Sequence, residues 1–353
     1  MAIRVMIMAG GTGGHVFPGL AVAEQLVSAG HTVSWLGTRK GIEARLVPEA
    51  GIAIDWLSVS GLRGKGLMSV LLAPLMLIKA CWQASAIIRK RQPDVVLGFG
   101  GFASGPGGLM SWLHRRPLVI HEQNRVPGTT NRLLKGLATS VLEAFPGSFS
   151  ADVHAICTGN PLRASLKPKL TKAESVACNI LVLGGSLGAS VLNEVVPEAL
   201  QIVQKRKQIN VIHQAGSKTL DAAKRQYKKM TVEADVCAFI DDMQKVYSWA
   251  DIVICRAGAM TVSEVSVMGL PAILVPLPGA IDDHQTKNAQ YLSTQGAAVL
   301  IPQKELLATA LAKQLIELVE NPKALSQMAK KATQLATPKA TSQVLEQCLE
   351  AAL

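Results

Sequence analysis

The sequence predicts an α/β protein of two doubly wound, Rossmann-like domains whose ligand-binding edges face across one cleft. Three observations carry this. The apolar run Val5-Met6-Ile7-Met8-Ala9 leads through Gly10-Gly11-Thr12-Gly13-Gly14-His15 into an amphipathic stretch with Leu20, Val22, Leu26 and Val27, the pattern of strand, tight loop and helix. The same organisation returns at Asn179-Ile180-Leu181-Val182-Leu183-Gly184-Gly185-Ser186-Leu187-Gly188-Ala189. With 353 residues the chain also exceeds what one core usually sustains, about 250–300 residues.

Each element follows in order. Glycines after the first strand let backbone N–H groups approach an anion at the positive end of the next helix. His31 to Thr38 reads as the second strand; it ends in Gly37, Thr38 and Arg39 rather than in the acid that would hold a dinucleotide ribose, which counts against a nicotinamide or flavin enzyme. Gly61 to Gly66 precedes the apolar run Leu67 to Ile78, which Pro74 interrupts and which is shorter than the roughly 20 residues a membrane span needs. Two readings of that run stay open: a buried helix of the first domain, or a peripheral membrane patch rimmed by Arg63, Lys65 and Lys79. Pro93 to Phe102 is a strand running into glycines, and Pro117 to Asn124 is a strand ending in His121-Glu122-Gln123-Asn124, where open α/β sheets bind ligands.

Thr158 to Arg163 is a turn-rich break, and the linker is placed there, giving a first domain over 1–160 and a second over 161–340. Within the second, Ile209 to His213, Val236 to Ile240 and Leu270 to Pro276 read as strands, and Ala250 to Ala259 parallels the strand and glycines of Pro93 to Gly101. Beyond Pro302 only helices are expected, over Glu305–Glu320, Pro322–Leu335 and Ser342–Leu353, the last able to cross back to the first domain.

Composition narrows the function. Residues are 49% hydrophobic and 17% charged, which suits a packed globular chain. Lysine and arginine number 36 against 25 acids, and the excess leans to the N-terminal half, with 15 basic and 8 acidic residues before Asn160. Anionic lipid headgroups or phosphorylated substrates fit this balance. Nucleic acid does not, since aromatics are 4% and no dense basic run or known binding motif occurs. The six cysteines form no C-x-x-C pair and group with no histidine, so neither a metal site nor a disulfide framework is expected. With no charged leader or cleavage site before the first strand, a cytoplasmic location is the expectation.

No G-x-x-x-x-G-K-[ST] or H-E-x-x-H run is present, which removes P-loop and zinc-hydrolase chemistry. Two anion-cradling loops without metal ligands fit a transferase, one domain holding a nucleotide diphosphate and the other an acceptor. Glu264, one turn into the helix after Gly258, can accept both hydroxyls of a ribose, or can simply complement the helix dipole.

Gly10 to Pro18, His121-Glu122-Gln123-Asn124, Gly159-Asn160-Pro161-Leu162-Arg163, Gly184 to Ala189, Arg256 to Glu264 and Asp282-Asp283-His284-Gln285 with Asn288 together resemble one family. It is the bacterial UDP-N-acetylglucosamine:undecaprenyl-pyrophosphoryl-N-acetylmuramoyl-pentapeptide N-acetylglucosaminyltransferases. The resemblance spans almost the whole chain; Ala257 and Met260 stand where the family more often has Ser and Leu. It implies a GT-B fold and inverting, metal-free transfer, without a cofactor, of N-acetylglucosamine from its UDP donor to the C4 hydroxyl of lipid I. The product is lipid II, for peptidoglycan synthesis at the cytoplasmic face of the plasma membrane, held peripherally to an anionic surface.

Carried over residue by residue, the resemblance implies that Arg163 and Ser186 lie near the diphosphate and that the Ile240 backbone meets uracil. Ala259, Met260, Thr261, Val262, Ser263 and Glu264 would hold diphosphate and ribose, with Gln285 and Asn124 on the transferred sugar. Thr12, Gly13 and Gly14 would face the acceptor diphosphate and the reacting end of the donor. His15 is the first choice for the base that takes the acceptor proton, its other reading being a histidine that shapes the loop; His121 and Glu122 are the fallback. Other GT-B enzymes, a glycolipid synthase or a UDP-sugar epimerase, form the alternative, and a non-catalytic nucleotide-sugar binder a third reading.

Overall fold

Parallel strands buried on both faces need continuous apolar runs, and the sequence supplies them. The computed structural model describes residues 2–59, 73–168, 177–185 and 188–353. They form two units, one running to Arg163 and including Thr337–Leu353, the other Ala164–Ala336. Gly61 to Gly66, the first part of the apolar run (67–72), and Ser186 with Leu187 lie outside the described residues.

The first unit runs β1 (Arg4–Ala9), α1 (Gly13–Ser28), β2 (Thr32–Gly37), α2 (Glu43–Glu49), β3 (Ala53–Trp56), α3 (Ala73–Arg91), β4 (Val95–Gly100), α4 (Ser104–Leu113), β5 (Leu118–Glu122), α5 (Thr129–Leu134), β6 (Ser140–Glu143) and β7 (Ile156–Cys157). Its strands are all parallel, in the order β3-β2-β1-β4-β5-β6-β7. Alternate β1 residues serve opposite faces. Val5, Ile7 and Ala9 pack with Val16, Val22 and Leu26 of α1, while Met6 and Met8 pack with Ala84 and Ile88 of α3.

The second unit runs β8 (Cys178–Leu183), α6 (Ser190–Val203), β9 (Ile209–Gln214), α7 (Leu220–Met230), β10 (Asp235–Cys237), α8 (Met243–Trp249), β11 (Ile252–Cys255), α9 (Ala259–Met268), β12 (Ala272–Leu274), α10 (His284–Ser293), β13 (Ala298–Leu300), α11 (Ala308–Val319) and α12 (Pro322–Gln334). The parallel order is β10-β9-β8-β11-β12-β13. A last helix, α13 (Ala340–Ala351), returns to the first unit, packing on α1 and β4 with Val344 and Cys348 fully buried.

Several expected boundaries move: the strand expected over Leu270–Pro276 covers only Ala272–Leu274, and the last helix runs over Ala340–Ala351 rather than Ser342–Leu353. The helix expected from Glu305 begins at Ala308, because Gln303–Glu305 makes a 3-10 turn and Leu306 tucks into the core before the chain turns helical. The strand expected over Val236–Ile240 ends at Cys237. In both sheets the chain reverses direction of winding beside the first strand, between β1 and β4 and between β8 and β11. The glycine loops after β1 and β8 leave from these switch points, where ligands of open α/β sheets bind.

Candidate active site

In the first unit the β1–α1 loop is pressed against the end of β4. Gly101 has φ +82°, and a Cβ there would run into the carbonyl oxygen of Gly10, so only glycine lets the two loops close on each other. The ring of His15, in the first turn of α1, lies over Gly100, where a Cβ would sit 3.3 Å from its Cε1. Glu43 of α2 braces the loop from the other side. Its fully buried carboxylate accepts N–H bonds from Gly11 (2.9 Å) and Thr38 (3.0 Å) and a hydroxyl bond from Thr38 (2.7 Å). A carboxylate therefore does stand beside the end of β2, but it is spent on the chain's own donors, and the Gly11 N–H is already taken.

The residues at the end of β5 divide the work between them. Glu122 is buried, and four N–H groups reach its oxygens: Asn124 N at 3.0 Å and Nδ2 at 3.3 Å on Oε1, Gly128 N at 2.9 Å and Asn131 Nδ2 at 2.9 Å on Oε2. It ties the turn after β5 to α5. His121 is also buried, with Nε2 2.9 Å from the Gly159 carbonyl and its ring against Phe99. Burial pushes its pKa down to about 4 against the opposing bond to Gly159, so the imidazole is neutral. Gln123 bridges the two histidines of the site, Oε1 2.7 Å from His15 Nδ1 and Nε2 3.1 Å from His121 Nδ1. Asn160 Nδ2 donates to the Gln123 carbonyl at 3.1 Å, and the Arg163 guanidinium stacks 5.3 Å from the centroid of Phe17 on α1.

In the second unit the loop after β8 also needs its glycine: Gly188 has φ +79°, and a Cβ would strike the Ala215 carbonyl oxygen. Gln214 Oε1 accepts the Ile240 N–H at 3.3 Å. Helix α9 opens at Gly258, a cap residue without a side chain, and its first turn, Ala259 to Thr261, forms the positive end of the helix dipole. Val262 and Ser263 are buried, and Glu264 is half-buried with the hydroxyl of fully buried Tyr247 donating to its Oε2 at 2.9 Å. Burial, reinforced by the Glu264 charge, pushes the neighbouring Cys255 thiol up to about 12, so it is no nucleophile. Arg256 is turned inward onto the carbonyls of Val275 and Pro276 and the side chain of Gln303. Gln285 Oε1 accepts the Leu277 N–H at 2.9 Å, and buried Asn288 donates to the Ala257 carbonyl at 3.2 Å, holding α10 against the strand-to-α9 turn.

Among the described residues no group of three His, Cys, Asp and Glu side chains converges as a metal site.

The N-terminal domain of glycosyltransferase family 28 matches residues 5–143, and the C-terminal domain of the same family matches residues 179–344. The chain belongs to glycosyltransferase family 28. A family 28 relative from Methylococcus capsulatus, named UDP-N-acetylglucosamine--N-acetylmuramyl-(pentapeptide) pyrophosphoryl-undecaprenol N-acetylglucosamine transferase, is 54% identical over all of this chain and 99% of its own length. One of the same name from Pseudomonas fluorescens is 50% identical over the same shares. The crystal structure of Acinetobacter baumannii MurG superposes with a TM-score of 0.84 at 41% identity over 99% of each chain. The two parallel-sheet, Rossmann-like units of this chain, matched over nearly their whole length by that structure, are a GT-B architecture.

Three residues that brace these side chains were not given roles by the sequence. Glu43 lies in the helix after β2, Gln123 sat inside a quoted motif without a function, and Tyr247 is 17 residues from Glu264.

Proposed function

We infer that this chain is an inverting N-acetylglucosaminyltransferase that moves N-acetylglucosamine from UDP-N-acetylglucosamine to the C4 hydroxyl of lipid I, giving lipid II for peptidoglycan synthesis. The observation that carries this is 54% identity, end to end, with a transferase named for that reaction. In the reaction the C4 oxygen bonds to the anomeric carbon, its proton passes to a base, and the anomeric C–O bond breaks with its electron pair leaving on UDP. His15 is the base. It stands in the first turn of α1, half-buried, its ring fixed over Gly100. The committed hydrogen bonds of His121 and Glu122 favour positioning roles for both.

In the first unit Thr12, Gly13 and Gly14 face the acceptor diphosphate; Arg163 serves the diphosphate end and Asn124 the transferred sugar. In the second, the N-terminal turn of α9 from Ala259 to Ser263 stabilises the departing diphosphate through the helix dipole, in place of a metal ion. Glu264, oriented by Tyr247, accepts the ribose hydroxyls, the Ile240 backbone meets uracil, and Gln285 contacts the sugar. Ser186 joins the diphosphate residues in this reading.

The deciding assay supplies UDP-N-acetylglucosamine and a lipid I analogue with EDTA present. Transfer to the analogue is expected to proceed. Product from the UDP-sugar alone would make the protein an epimerase, and UDP binding without turnover a binding protein.

The protein works at an anionic membrane surface, at the cytoplasmic face. Leu75, Ile78 and Trp82 follow one another at helical spacing along α3 and are 64, 65 and 76% exposed, while Ala80, Ala84 and Ile88 fill the opposite, buried stripe. Trp112 and Leu113 of α4 and Leu133 of α5 extend the exposed apolar surface on helices packed in sequence against α3, and Lys79 and Arg115 add exposed cations. No helix among the described residues is long and apolar enough to cross a membrane. Replacing Leu75 and Trp82 by Ser is expected to weaken binding to vesicles containing anionic lipid by about 10-fold or more, from the loss of about 1 kcal/mol or more per side chain. Co-sedimentation measures it; unchanged binding by a folded variant would remove the patch from the membrane.

A further inference from the structure

The hydrogen-bond chain behind His15 fixes where its proton sits. Gln123 Nε2 lies 2.8 Å from the carbonyl oxygen of His121, an atom that can only accept, so this end of the Gln123 amide is the NH2. The other end, Oε1, therefore faces His15 Nδ1 at 2.7 Å, and His15 must donate there. The second Gln123 N–H points to His121 Nδ1 at 3.1 Å, which has to be the bare nitrogen of that ring. His121 in turn donates from Nε2 to the Gly159 carbonyl at 2.9 Å. Every donor in this row meets an acceptor, and with both rings neutral only one arrangement of protons achieves it. Asn160 fixes the backbone from which Gln123 reaches, by donating to its carbonyl.

We propose that Gln123, anchored by His121 and the Gly159 carbonyl, is a positioning residue that holds His15 in the Nδ1–H tautomer, so that Nε2 presents the lone pair to the attacking hydroxyl. This rests on His15 being the base. An imidazole with the proton on Nε2 cannot take one there, and a base held in the wrong tautomer loses most of its value even when its geometry is kept. When Nε2 accepts the hydroxyl proton, Nδ1–H keeps its bond to Gln123, so the ring does not turn during transfer. The amide is neutral and provides orientation without the charge a carboxylate would place beside the imidazolium.

The test is a long-range proton–nitrogen NMR spectrum of the full chain with labelled histidine, the His15 signals being identified by their loss in His15→Gln. His15 is expected to carry its proton on Nδ1, with Nε2 bare. In Gln123→Leu, its signals are expected to move toward the Nε2–H form. The kcat of that variant with UDP-N-acetylglucosamine and a lipid I analogue should fall by about 10²-fold, while KM for the UDP-sugar changes less than about twofold. Finding the wild-type proton on Nε2 overturns the proposal, whether or not the variant folds. So does a folded Gln123→Leu that keeps both tautomer and kcat. The spectrum needs no acceptor and no turnover, so it is decided independently of whether His15 is the base, which the rate of His15→Ala settles.

Discussion

His15→Ala is expected to lower kcat for transfer to a lipid I analogue by about 10²–10⁴-fold, the range a positioned general base contributes. The acceptor hydroxyl is a weak nucleophile and must shed its proton as it bonds to the anomeric carbon, and with the imidazole gone only water can take it. The loss should appear in turnover alone. Glu43 holds the loop backbone through the Gly11 N–H, and Gly101 holds it against Gly10, neither of which depends on the His15 side chain. Apart from Arg163, the groups assigned to UDP lie in the second unit, and none of them is His15, so calorimetric UDP affinity should stay within about twofold, a few tenths of a kcal/mol. A near-normal rate would return His15 to the role of a side chain that shapes its loop.

Glu122→Ala should act in the opposite manner, on stability first. Its carboxylate is buried and accepts from Asn124, Gly128 and Asn131. Removing it strands those donors at about 1–3 kcal/mol each where water cannot follow, so a loss of about 3 kcal/mol or more is expected in urea unfolding. Because the turn it ties down carries Gln123 and Asn124, turnover should fall too, as a consequence of the lost anchoring. A Glu122→Ala protein of wild-type stability with no activity would contradict this and give Glu122 a chemical role.

The fold was legible because its determinants are local and periodic. Strands such as Val5–Ala9 and Val95–Phe99, buried on both faces, can only be continuous apolar runs, and a glycine loop followed by an amphipathic stretch has few other meanings. The ends of elements were less so: Leu306 leaves helical geometry to reach the core, a decision made by packing and invisible to periodicity. Within the site, the loops that carry His15, His121 and Glu264 announced themselves by glycines or polar strand ends. Their supports did not. His15 and Gln123 are 108 residues apart, Gly11 and Glu43 are 32, and Tyr247 and Glu264 meet only because α8 and α9 pack together. Such bonds are set by sheet order, and nothing in either partner's neighbourhood encodes the other. The conclusion drawn from Gly37, Thr38 and Arg39 also gains a physical cause, since Glu43 fills the place beside β2 and occupies the N–H of Gly11.

The return of α13 to the first unit has a consequence for synthesis on the ribosome. Val344 and Cys348 belong to the same core as Val5, Ile7 and Val95, yet they are translated after all of Ala164–Ala336. The face of the first sheet that they cover stays open while the entire second unit emerges, so the unit begun first is the one completed last. Nascent chains therefore carry an exposed apolar sheet face for roughly ten to thirty seconds or more at about 5–20 residues per second, a window in which chaperone binding and aggregation compete.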